Sequence, residues 1–195
     1  MTLAVFGYGS LASPASAELS LGRAVEPAAV VRLRGWRRRW TVFRDNLASE
    51  KTFALADGTV PPYVVGLSIE RDPGCEGANG VLIEIGEAEA DRLDLREMRY
   101  RRIEAVDDVV ATPGTAEPAF DSVIAYEAKP EHHAPTAPPG AIVIARYVRT
   151  VEAAFADLGP GELERFRATT DPPPVEPVEA TLVADEIPPG NPRAW

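Results

Sequence analysis

Short runs of β-branched and aromatic residues, each closed by glycine or proline, recur along this chain and yield to a helical period in only two or three places. Leu3 to Tyr8 is apolar on both faces and reads as a buried first strand that stops at glycine. Ala28 to Phe43 predicts one or two strands interrupted near Gly35, with the arginines of "RGWRRRW" on a solvated face. Tyr63 to Glu70 predicts another strand, closed by the turn at Asp72, Pro73 and Gly74. Asn79-Gly80 reads as a tight turn that releases a strand over Val81 to Ile85. Tyr100 to Val106 and Asp121 to Ala128 complete the strands, with proline-containing loops over Ala111 to Phe120 and Pro130 to Gly140.

The helical pieces are fewer. Glu87 to Leu95 has good helix formers with Ala90 and Leu93 on one side. Ile144, Val148, Val151, Phe155 and Leu158 recur at helical spacing until Gly159-Pro160, and a short helix over Glu162 to Ala168 follows. From Asp171 proline is dense, so residues 171–195 are expected as a strap or arm, with "ATLVADE" its one strand-like piece and Trp195 a candidate anchor. Strands and helices that do not alternate strictly argue for an α+β domain over residues 1–170, with a curled, mostly antiparallel or mixed sheet.

Composition narrows the partners. At 45% apolar and 26% charged, the chain has the balance of an ordinary globular protein. A formal net charge of −10 opposes attraction to nucleic acid or anionic lipid, even though "RGWRRRW" interleaves arginine with tryptophan. The single Cys75 allows no internal disulfide and reads as a turn residue; His132 and His133 read as exposed loop residues without a third ligand nearby. No apolar run approaches membrane-spanning length and no secretory leader pattern opens the sequence, so the cytoplasm is the expected compartment.

Two places carry chemistry. Gly7, Gly9 and Ser10 follow the first strand, where glycine permits positive φ and close approach, and such a loop can aim backbone N–H groups at an anion. The spacing is neither the dinucleotide pattern nor a phosphate loop. Glu97, flanked by Asp94, Arg96, Arg99, Arg101 and Arg102, is either a proton shuttle at a helix end or a member of a surface ion-pair network. Tyr8, Tyr126 and Tyr147 are core residues or hydroxyls turned to a pocket.

In order and spacing, "YGSL", "LRGWRRRW", "NGVLIEI" and "LDLREMRYRR" resemble the γ-glutamylcyclotransferase-like family from Phe6 to about Leu158. The resemblance implies a small β-barrel with helices around it. It implies that Tyr8, Gly9, Ser10 and Leu11 cradle the substrate, and that Glu97, in the pattern made with Asp94, Arg96 and Tyr100, is the general acid/base. The implied reaction is closure of a γ-glutamyl amide to 5-oxoproline with release of an amine, which needs no metal and no cofactor. A non-catalytic member of the same fold, binding a small metabolite or a protein, is the alternative. The leaving amine, the subfamily and the oligomeric state are not set by these residues.

Overall fold

The computed structural model describes residues 2–112 and 118–186; Trp195 and the centre of the Ala111 to Phe120 loop lie outside them. In chain order the elements are β1 (Leu3–Gly7), α1 (Pro14–Leu21), β2 (Ala29–Leu33), β3 (Trp36–Asp45), β4 (Lys51–Ala54), β5 (Tyr63–Arg71), β6 (Ala78–Ile85) and α2 (Glu87–Arg96). Then come β7 (Tyr100–Glu104), β8 (Val109–Ala111), β9 (Ser122–Ala128), β10 (Ala141–Ile142), α3 (Ala145–Asp157), α4 (Glu162–Ala168) and β11 (Thr181–Asp185). The class is mixed α+β. No helix among the described residues is long and apolar enough to cross a membrane.

β1 lies inside a six-stranded mixed sheet of order β7-β9-β1-β6-β2-β8, parallel to β9 and antiparallel to β6. That place explains its unbroken apolar run, since both faces of an inner strand are covered. Side chains that alternate along it enter two different cores. Val5 joins Ile83, Ile124 and the helix residues Ala17, Leu93 and Phe155, while Ala4 and Phe6 join Leu82, Trp36 and Ile69 on the opposite face. The helices therefore pack on one side of the sheet.

β10, β5 and β3 form a second sheet, and β11 pairs with β4 as a third. Among the described residues these ladders do not close into one barrel; the strands are divided into three sheets that pack on one another. A bulge in β3 between Arg39 and Val42 makes Trp40, Thr41 and Val42 all buried in succession.

Asn79-Gly80 is not a turn. Both residues lie within β6, opposite Arg32 and Val31 of β2. Gly80 is required by crowding, because a Cβ there would lie 2.6 Å from Gly7 O and from the Phe6 ring. The chain reverses earlier, between Asp72 and Gly77, where Gly77 has φ 124°. The polar stretch Asn46 to Pro62, which has no strand signal, contains β4. Buried Asn46 shapes it by donating to Phe53 O and Pro61 O, both at 2.8 Å, and accepting from Phe53 N at 2.9 Å.

The segment after Asp171 crosses the body as a strap. Asp171 accepts from Arg37 and, through its carbonyl, from Trp40 Nε1. Val178 N donates to Val143 O and Val178 O accepts from Ala145 N, each at 2.9 Å. Leu182 then lies opposite Phe53 in the β11–β4 ladder.

Candidate functional site

β1 hands the chain through Tyr8 and Gly9 to a 3-10 turn, Ser10–Ala12. Neither Gly7 nor Gly9 has positive φ, so of the two properties glycine offers here the loop does not use the left-handed one. What Gly9 supplies is space, since a Cβ there would sit 3.3 Å from Tyr147 Oη. Ser10 and Leu11 open the turn, so their N–H groups have no acceptor within it.

Arg38 holds this loop from behind. Its fully buried side chain donates from Nε to Tyr8 O at 2.7 Å and from Nη1 to Thr169 Oγ1 at 3.0 Å, and Nη2 reaches both Asn79 Oδ1 and Asn79 O. The guanidinium lies against the rings of Phe155 and Phe166, 4.8 and 4.7 Å from their centroids. Burial pushes its pKa down to about 9, which still leaves a cation at neutral pH. The sequence expectation of solvated arginines thus fails at Arg38. Along β3, Arg38 shares the inward face of Trp36 and Trp40, whereas Arg37 and Arg39 alternate outward and pair with Asp171 and Glu70.

Glu97 caps the C-terminus of α2, donating its N–H to Leu93 O at 2.8 Å. Its carboxylate pairs with Arg96, whose Nη2 donates to Ser10 Oγ at 2.8 Å, so one guanidinium bridges the acid and the first loop. The side chains of Arg96 and Glu97 are only 10% and 13% exposed. Two hollows meet here. An inner one of about 40 Å³ is lined by Tyr8, Gly9, Leu11 and Tyr126, among others, and an outer one of about 640 Å³ opens beside it. Ser10, Arg96, Glu97, Tyr100 and Tyr147 line both. All five residues singled out as a site from sequence, Tyr8, Gly9, Ser10, Leu11 and Glu97, line the inner hollow.

The tyrosines are hydrogen-bond donors. Tyr8 Oη donates to Tyr126 O and Tyr126 Oη to Asp94 Oδ1, each at 2.6 Å. Burial, then the neighbouring Tyr100 and Glu97, hold the Tyr8 phenol well above its ordinary range; burial and the bond to Asp94 do the same at Tyr126. Asp94 also pairs with Arg102 at 2.7 Å and lines neither hollow. Tyr100 donates to Leu67 O at 2.8 Å.

His133 is not an exposed loop residue: it is half-buried, with Nε2 2.9 Å from Glu70 Oε1. His132 is half-buried as well, its ring 6.3 Å from that of Phe43. No group of three or more potential metal ligands occurs among the described residues. Sequence reasoning missed Arg38 and the outer wall. For Arg38 a signal existed, its even spacing with Trp36 and Trp40; for Phe53 and Leu182 there was none.

The fold matches solved structures. One described as γ-glutamyl cyclotransferase superposes with a TM-score of 0.62 at 16% identity, over 92% of this chain and 94% of that one. An uncharacterised protein from Homo sapiens gives 0.59 at 16% identity, over 91% and 94% of the two chains. YkqA from Bacillus subtilis gives 0.55 at 21% identity, over 86% of this chain and 53% of that one. No protein-family model matches the chain, and no curated protein matches it. At these identities the likeness defines the fold, which is γ-glutamyl cyclotransferase-like.

Proposed function

We propose that this chain is a γ-glutamylcyclotransferase-like enzyme that closes a γ-glutamyl amide to 5-oxoproline and releases an amine. The observation that carries this reading is that the Glu97 carboxylate and the Tyr8–Leu11 loop face one hollow and are bridged by Arg96. In this reading residues 1–170 are the domain that carries the loop and the acid, and 171–195 the tail, whose described part straps the body and lines the outer hollow. The compartment is taken to be the cytoplasm and the ligand a small molecule.

In this reading Glu97 accepts a proton from the substrate α-ammonium. The freed amine nitrogen attacks the γ-carbonyl carbon, forming the ring C–N bond, and the N–H groups of Ser10 and Leu11 receive the negative charge that develops on oxygen. When the amide C–N bond breaks, Glu97 returns that proton to the departing nitrogen and then takes the surplus proton from the ring nitrogen, which ends as the lactam N–H, so one carboxylate serves every transfer. Nucleophile and electrophile belong to one molecule, and the protein's main task is to keep them folded together with water excluded. Arg96 orients Glu97 by holding one of its oxygens.

Glu97→Gln preserves shape and removes the proton acceptor, so 5-oxoproline formation should fall by about 10²–10⁴ with the melting midpoint nearly unchanged. A folded variant that still cyclises a γ-glutamyl donor at the wild-type rate overturns the assignment. The Arg96–Glu97 pair also suits a non-catalytic binding module, in which that carboxylate is locked as structure. Titration of γ-glutamyl compounds separates the readings, since binding without product favours the module.

A further inference from the structure

We propose that the amine released by this enzyme carries a bulky apolar group, seated in the outer chamber against a wall completed by the C-terminal strap; the inference rests on the cyclotransferase reading. Glu97 stands where the two hollows join, and in that reading the scissile nitrogen must lie within its reach. The inner hollow, about 40 Å³ and crowded by Tyr8 and Tyr126, has room for only a few heavy atoms. Whatever hangs from the leaving nitrogen therefore enters the outer chamber, whose 640 Å³ is far more than a glutamyl group fills.

The walls of that chamber set the chemistry. Val42, Phe53, Val64, Val65, Ile144 and Leu182 line it, contributed by β3, β4, β5, the start of α3 and β11. Three arginines set deep in the wall are engaged within the protein: Arg96 holds Glu97 and Ser10, Arg99 grips Glu50 through two bonds of 2.9 and 2.6 Å, and the Arg44 guanidinium stacks 5.0 Å from the Phe53 ring centroid. Of the more exposed charged lining side chains, Arg146 lies on α3 and the Arg149-paired Glu179 in the strap just before β11. Such a lining favours an apolar body and gives little to a small or polar amine. Phe53 and Leu182 are register partners in the β4–β11 ladder, so the wall that reads the amine is built across a contact between the strap and the body.

The test compares γ-glutamyl-phenylalanine with γ-glutamyl-glycine, by 5-oxoproline release and by titration onto wild type and Glu97→Gln. We expect kcat/KM about tenfold or more higher for the phenylalanine donor, with the ratio falling toward one in Leu182→Lys and narrowing in Leu182→Ala. Equal turnover of both donors overturns the inference and leaves the cyclotransferase reading standing. If neither donor yields 5-oxoproline, that reading fails, and the titration decides the chamber by itself. Tenfold tighter binding of the phenylalanine compound, reduced by Leu182→Lys, supports the apolar chamber, whereas equal or undetectable binding refutes it.

Discussion

At the inner end of the cavity, the Tyr8–Leu11 loop is anchored by Arg38 of β3, which is bonded in turn to Asn79 of β6 and Thr169 after α4, with every one of these side chains buried. At the outer end, the wall rests on β11, whose residues are alternately exposed and half-buried along a two-stranded ladder with β4. The two ends are therefore held by different means. Under the proposed reading, the groups that meet the reacting atoms are fixed by buried bonds from distant parts of the chain, while the surface offered to the leaving group is held along one edge.

Beyond the loss of turnover at Glu97, three substitutions and one exchange measurement test this contrast. The largest is Arg38→Met, which strips Tyr8 O and Asn79 of their donor inside the core. Urea unfolding should show a loss of about 3 kcal/mol or more, and activity should fall in the fraction that stays folded. A variant as stable as wild type would mean that the inner end is not held in this way. Next is the opening of β11: hydrogen exchange should find its amides less protected by about two orders of magnitude or more than those of β1. Equal protection would erase the difference between the two ends.

Gly9→Ala gives a smaller effect. Its methyl group meets Tyr147 Oη, and turnover should drop roughly tenfold with partial recovery when Tyr147→Phe removes the hydroxyl. Smallest is Arg149→Ala. The Arg149–Glu179 pair at the strap is 61% and 67% exposed, and its removal should leave the melting midpoint unmoved within error.

Much of this arrangement was legible along the chain. Leu3–Gly7 is recognisable as an inner strand because its apolar run lacks a polar face, and α3 because Val151 and Phe155 repeat at the helical period. The loop of Tyr8, Gly9, Ser10 and Leu11 and the acid at Glu97 were singled out by the family resemblance rather than by local pattern, which left a plain turn and a surface ion pair equally open; that all five line one hollow comes from the fold. Asn79-Gly80 misled, since its composition suits a turn and its glycine answers instead to the nearby Gly7 carbonyl and Phe6 ring. β4 was invisible, since a four-residue strand set in a polar stretch is defined only by its partner in the strap.

What the sequence determined by itself was which residues alternate, which repeat helically and where the backbone must bend, because those preferences act between neighbours. Which of three consecutive arginines would be buried, and which strap residue would complete the cavity wall, was decided only by tertiary structure. Arg38 tolerates burial because Phe155, Phe166 and Thr169 arrive from more than 100 residues further along the chain, and no local pattern records that they will.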